Sequence, residues 1–409
     1  MTGYSGAGDF LPPIDDVGSA RRGGAGAGTA VGTDVRTRWR MGPEAKALVL
    51  ITAAVLAFGF AVLYSASAIV AMNANQSSAY FLIRQLEGAA VGAVAFAIAA
   101  KLDADKWEQW AWPLMWLTIL TMIAALFSPR VHGSRRFLFG QSLQPSELGK
   151  FGVIVWVAML TVKKGDHLRH LTKGLLPFLV VIGLLDVLAV LEPDLSVAML
   201  YTLLMAVILY AGGARIGHFV ALGAIAMPLL WTKAEKLQYA ALRLTSFFDP
   251  GSAPATVSYQ LQQSLVAVGS GRLFGVGFGQ GRQQYGFLPF PYSDFIASNI
   301  GEEWGFLGLT AVVLAFAAFG LIGFRIARQA RSPFLQLVAV GLTFVTVLTA
   351  LLHVGVVVGL LPTTGLTLPF VSYGRSNLVL TMFTTGVLVN IGSTKERVFG
   401  ATATNPLAD

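Results

Sequence analysis

Cysteine is absent from this 409-residue chain, which excludes disulfides, thiolate metal sites and cysteine nucleophiles and leaves the redox compartment open. Charge is scarce as well: 12% of residues are Asp, Glu, Lys or Arg, against about 25% in a soluble domain. No repeat of solenoid period is present, and no glycine run carries a P-loop lysine. What the chain has instead is apolar, with 55% hydrophobic residues and a mean hydropathy of +0.66. A soluble fold cannot hide that much apolar surface, so the composition predicts an all-α, polytopic integral membrane protein. The net charge of +8 raises nucleic acid as a partner. The basic residues lie between apolar stretches and form no continuous face, so they are assigned to membrane topology and no nucleic acid is expected.

Apolar stretches fall near 46–71, 79–100, 105–127, 146–163, 174–192, 195–214, 215–232, 295–324, 333–361 and 372–392. Each approaches the roughly 20 residues needed to cross the hydrocarbon, which predicts ten transmembrane helices. Residues 1–41, rich in Gly, Ala, Ser and Thr, cannot bury enough surface to fold alone and are expected to form a disordered cytoplasmic tail. The membrane domain then runs from 42 to 397, with a cytoplasmic C-terminal tail over 398–409. A cleaved signal peptide, suggested by Ala66-Ser67-Ala68, is the weaker alternative because a long polar segment precedes it. Arg36, Arg38, Arg40 and Lys46, then Lys163, Lys164, Arg169 and Lys173, then Arg215, Arg325, Arg328 and Arg331, and finally Lys395 and Arg397 all fall on one side. The positive-inside rule makes that side, and both termini, cytoplasmic. Residues 233–294 become the single large outer loop.

Positive charge on the outer side works against that rule. Arg130, Arg135 and Arg136 follow the third span, Arg243, Arg272 and Arg282 lie in the large loop, and Arg375 sits at the outer end of the tenth span. Singly, each could pair with an outer acid or a headgroup. As a set they suggest an anionic ligand. Charges within the spans gather at the same level: Arg84 and Glu87, Glu147 and Lys150, Asp186 and Glu192, Asp194, and Glu302 with Glu303. Self-neutralising i,i+3 pairs would account for some. A proton or ion pathway would spread them through the bilayer, so their outer placement points to a cavity open to the outer leaflet.

Several blocks occur in a specific order: GSRRFLFGQSLQPSELGK (133–150), EPDLS (192–196), YQLQQSLVAVGSGRLFGVGFG (259–279), LPFPYSDFIASNIGEEWG (288–305) and GLLPTTGLTLPFVSYGRSNL (359–378). Alternate glycines at 275, 277, 279 and 281 permit close backbone approach, though as loop punctuation they are weak evidence. Over residues 46–397 the chain resembles the SEDS family (shape, elongation, division and sporulation), whose members include FtsW and RodA. The resemblance implies a ten-helix enzyme, an inverting hexosyltransferase in the bacterial cytoplasmic (inner) membrane that polymerises lipid II into peptidoglycan. It implies work beside a class B penicillin-binding protein, other divisome proteins and membrane lipids. The family's usual acid after LP is replaced by Phe290 and its His-Thr by Tyr292-Ser293, which leaves the roles of those neighbours open. Thr364 looks RodA-like and Arg375 replaces a glycine, whereas GLTLP, EPD and RLTSFFDP (243–250) look FtsW-like, which favours the division-associated branch.

Such a polymerase needs a base for the acceptor hydroxyl and cations for the departing lipid pyrophosphate. The resemblance implies Asp294 as the base; as a residue just before a helix, it reads equally as an N-cap. The cation candidates are Arg135, Arg136, Lys150, Arg243, Arg282 and Arg375, with Lys150 and Arg375 best placed. Glu147, Gln263 and Ser372, inside the matched blocks, complete the substrate-binding candidates. No cofactor is certain. A divalent cation such as magnesium bridging the pyrophosphate stays open, since no His or acid spacing names a metal. A lipid II flippase, a RodA-like elongation polymerase and a non-catalytic scaffold are the alternatives. Against the flippase stand the missing inner-leaflet charges and the lack of paired interrupted helices.

Overall fold

The computed structural model describes residues 35–129, 135–138, 143–170, 174–220, 247–248 and 255–399. The chain divides into two units, Met1–Arg38 with Arg397–Asp409, and Trp39–Glu396. Two strands, β1 (Val35–Met41) and β2 (Ser393–Phe399), pair in a two-stranded sheet. The end of the expected disordered tail is therefore a strand. Its pattern gives the reason, because Val35, Thr37, Trp39 and Met41 alternate with Arg36, Arg38 and Arg40 at strand period. Residues 1–34 and 400–409, and with them most of both expected tails, lie outside the described residues.

The larger unit is helical. Its helices are α1 (Pro43–Asn73), α2 (Tyr80–Lys101), α3 (Lys106–Gln109), α4 (Ala111–Leu126), α5 (Pro145–Lys164), α6 (Leu176–Leu191) and α7 (Leu195–Ala211), followed by α8 (Ala255–Gly271), α9 (Ile296–Glu303), α10 (Gly305–Arg328), α11 (Pro333–Val357) and α12 (Arg375–Ile391). Proline opens α1, α5 and α11, where its missing N–H costs nothing. The Asp194 carboxylate caps α7 by accepting from the Val197 N–H at 3.2 Å.

By length and composition α1, α2, α5 (continued to Arg169), α10 and α11 can each cross a membrane, and α4, α6 and α7 are apolar but shorter. The architecture is thus the polytopic helical one expected. Two expected spans are interrupted: 105–127 breaks at Trp110 into α3 and α4, and 295–324 breaks at Trp304 into α9 and α10. At the second break Gly305 has φ +65°, and a Cβ there would come within 2.4 Å of the Gly275 nitrogen. The backbone of the preceding loop therefore occupies the space that a continuous helix with a side chain would need. Of the span at 215–232, residues 216–220 are helical and 221–232 lie outside the described residues. Within 233–294, the segment expected as the outer loop, Ala255–Gly271 forms α8.

Burial ranks the helices. Within their apolar windows 72% of α5 and 61% of α11 are buried, against 17% of α2, so α5 and α11 are central and α2 is peripheral. α2 packs by one face on α12 through small residues. A Cβ on Gly92 would meet the Met382 sulfur at 2.6 Å, and one on Gly386 the Phe96 carbonyl at 2.5 Å. This close approach sets Gly88, inside α2, against Arg375 at the start of α12.

Candidate functional site

Asp294 lies in the turn of residues 291–295 that leads into α9. The N-cap of α9 is Phe295, not Asp294, which weakens the capping reading. Asp294 lines a small cavity with Gln260 of α8, Val356 of α11, and Thr363, Thr364, Gly365 and Leu366 of the loop before α12. Two clamps fix this arrangement. The Ser372 hydroxyl donates to the Ser293 carbonyl at 2.7 Å and accepts from the Leu368 N–H at 2.8 Å. The buried His353 accepts from the Ala297 N–H through Nε2 at 3.4 Å and faces the Leu366 carbonyl through Nδ1 at 2.8 Å. A carbonyl only accepts, so Nδ1 carries the proton. Ser372, a substrate-binding candidate, is buried and holds the backbone one residue before Asp294.

A second group lies at the N-terminal ends of α5 and α7. Lys150 donates to both Glu147 oxygens, at 2.7 and 2.9 Å, and is buried. Here the i,i+3 pair does neutralise itself, and the lysine expected to hold pyrophosphate is engaged by its own helix. Arg136 pairs with Asp194 at 3.5 Å. Between them Glu192 is fully buried, with neither carboxylate oxygen hydrogen-bonded. The Tyr201 hydroxyl donates to the Ser146 carbonyl at 2.8 Å and ties α7 to α5. The Ser196 hydroxyl donates to the Thr364 carbonyl at 2.8 Å, which connects this group to the Asp294 cavity. Glu147 and Lys150 also line a groove with Thr346 and Thr349 of α11 and Asn377 and Thr381 of α12.

The region where α2 meets the start of α12 is different. Arg84 and Glu87, read as a pair, form no ion pair, and neither does Arg375 among the described residues. Arg375 opens α12 and rests on Gly88, where a Cβ would come within 3.2 Å of its Cγ. The Gln85 side chain, buried between the two helices, donates to the Ser372 carbonyl at 3.0 Å and accepts from the Gly374 N–H at 3.1 Å. Arg84, Glu87 and Arg375 all act electrostatically on Tyr373. Tyr292 sits two residues before Asp294: burial, then Tyr373, then the Asp294 charge push its phenol above the ordinary range.

The remaining candidates are dispersed. Arg135 is exposed and donates to the Leu126 carbonyl at 3.1 Å. Arg282 is exposed, its backbone N–H donating to Glu302 at 2.7 Å. Gln263 is half-buried on α8, one turn from Gln260, which does line the cavity. Arg243 lies outside the described residues. Glu302 and Glu303 are buried; their carbonyls accept from the N–H groups of Val276 and Gly277, and the Ser65 hydroxyl donates to Glu303. They anchor the glycine-rich loop. No group of three or more His, Asp or Glu is gathered for a metal among the described residues. Sequence reasoning missed Gln85, Gln260, His353 and Thr363. Polar residues inside apolar helices were the available signal for Gln85 and His353.

A family model described as cell cycle protein and covering FtsW, RodA and SpoVE matches residues 46–397. The chain is 35% identical over 364 residues, 88% of its length and 96% of the relative's, to a Trichlorobacter lovleyi protein named probable peptidoglycan glycosyltransferase FtsW. It is 36% identical over 350 residues, 84% of its length and 95% of the relative's, to stage V sporulation protein E of Bacillus subtilis. Its fold is similar to that of the Thermus thermophilus rod shape determining protein RodA, with a TM-score of 0.63 at 23% identity over 85% of this chain and 95% of that one. A chain of a peptidoglycan synthase complex, solved for its coordination of polymerization and crosslinking, gives 0.72 at 24% identity over 85% and 97%.

Proposed function

The chain belongs to the FtsW/RodA/SpoVE family, and from that premise we propose that it is an FtsW-like peptidoglycan glycosyltransferase, polymerising lipid II at the outer face of the cytoplasmic membrane in cell division. The observation that carries the reading is Asp294, which lines a cavity walled by α8, α11 and the loop before α12. Arg84 and Arg375, which have no carboxylate partner among the described residues, act electrostatically on Tyr373, whose N–H is bonded to the Tyr292 carbonyl two residues before Asp294. Asp294 accepts the proton of the acceptor sugar hydroxyl as its oxygen attacks the anomeric carbon of the donor. The bond to the lipid pyrophosphate breaks, and planar guanidinium donors take up the charge that leaves. Both termini lie in the cytoplasm in this reading, as the distribution of basic residues requires.

A class B penicillin-binding protein is the proposed partner. Along α10 the exposed Ala311, Leu314, Ala317 and Leu321 form an apolar strip of small and large residues suited to a single membrane helix. Gly320 is not part of it, since a Cβ there would meet Val347 of α11 at 3.0 Å. Photocrosslinkers placed along α10 test the partnership, with adducts to the partner expected at Leu314 and Leu321. For the activity itself, purified full-length protein is given lipid II alone. Glycan strands are expected from the wild type and none from Asp294→Asn. Lipid II that crosses vesicles without forming strands would favour a flippase.

A further inference from the structure

Phe81 of α2 stacks on Tyr292 with ring centroids 4.5 Å apart and planes at 30°, and meets Tyr373 edge-on at 5.1 Å. Tyr292 and Tyr373 lie 5.8 Å apart at 76°. The Tyr373 N–H donates to the Tyr292 carbonyl at 2.9 Å, and the Gln85 and Ser372 clamps hold the same two loops. The three rings are therefore fixed relative to one another and to the backbone that carries Asp294.

A packing cluster would need no hydroxyls, and these two are not used for packing. All three rings are half-buried, and neither phenol hydroxyl has a hydrogen-bond partner or is sealed from solvent among the described residues. The Asp294 charge reaches Tyr292 and the charges of Arg84 and Arg375 reach Tyr373, so the two hydroxyls stand between a base and two cations. With its phenol held above the ordinary range, Tyr292 stays neutral at physiological pH and both donates and accepts.

We propose that Tyr292 and Tyr373, backed by Phe81, form a sugar-ring subsite that seats the acceptor pyranose with its reactive hydroxyl toward Asp294. The inference rests on the glycosyltransferase reading above and names the part of the site that orients the acceptor. A pyranose has a C–H face and a rim of hydroxyls. The electron-rich faces of the aromatic rings suit the first and the two phenols the second. Tyr292 contacts the sugar edge nearest the base, and Tyr373 lies on the side of the guanidiniums that receive the pyrophosphate.

Full-length protein in detergent carrying Tyr292→Phe, Tyr373→Phe, both together, or Tyr292→Leu is compared with wild type in two assays. One is strand synthesis against lipid II concentration; the other is binding of a soluble, unreactive peptidoglycan disaccharide by saturation-transfer NMR. The Phe variants keep the packing, so their fold is preserved. Each single Phe variant should raise KM and weaken disaccharide binding by about 3–10-fold, with Tyr292→Leu at the upper end or beyond, and change kcat less. Disaccharide binding and KM unchanged in the double Phe variant would reduce the rings to packing and overturn the subsite. If wild type makes no strands yet binds the disaccharide in a Tyr292-dependent way, the subsite stands and the polymerase reading fails.

Discussion

Two regions of the molecule carry charged residues and treat them in opposite ways. At the ends of α5 and α7, Lys150 spends both of its short contacts on Glu147 and Arg136 pairs with Asp194. Where α2 meets the start of α12, Arg84 and Arg375 have no carboxylate partner among the described residues, Arg84 lying over the Tyr80 ring, and the phenols of Tyr292 and Tyr373 make no hydrogen bond among them. A buried cation closed onto its own acid is neutralised before any ligand arrives. A half-buried guanidinium with no carboxylate beside it keeps its charge available. The first region neutralises its own charges, and the second is the one that the proposed function assigns to an anion.

The harshest test falls on the acid that faces the second region. Asp294→Asn keeps the shape and a polar group but cannot accept a proton. Strand synthesis should fall by about 10²–10⁴-fold, measured on folded protein that still binds lipid II. Activity near wild type would move the base elsewhere.

The first region should respond in stability instead. Lys150→Met leaves the largely buried Glu147 carboxylate alone, so stability to unfolding in detergent should fall by about 3–5 kcal/mol, whereas pairing it with Glu147→Gln should recover most of the loss. A Lys150→Met protein of normal stability with a raised lipid II requirement would erase the contrast, because it would make Lys150 a ligand after all. Arg375→Ala should do the reverse. Its thermal stability should stay close to wild type, while the lipid II requirement rises about 10-fold or somewhat more, the value of a charge-assisted hydrogen bond.

Ser372→Ala is the mildest. It removes the hydroxyl that joins Ser293 to Leu368, at about 1 kcal/mol. Because the clamp positions Asp294 and not the pyrophosphate, kcat should drop several-fold with little change in KM, and equal changes in both would place Ser372 on the substrate instead.

Much of this protein was legible in one dimension. Long apolar runs and the side on which Arg and Lys accumulate determined a polytopic helical membrane protein, because the cost of burying charge in hydrocarbon acts on each residue separately. The ordered blocks pointed to Asp294 and to Arg375. Interruptions at Trp110 and Trp304 were less visible, since an apolar run looks the same whether one helix or two cover it. Which charges are spent was invisible: Arg84 with Glu87 and Glu147 with Lys150 have the same i,i+3 spacing, yet only the second closes into an ion pair. Nor could spacing show that Tyr292 meets Phe81 and Tyr373, or that the Ser372 hydroxyl joins the Ser293 and Leu368 backbone. Those outcomes depend on how closely the glycines of α2 and α12 let two helices approach and on which loops their ends then bring together. Contacts between segments far apart in the chain are set by packing, and hydropathy and local spacing hold no record of them.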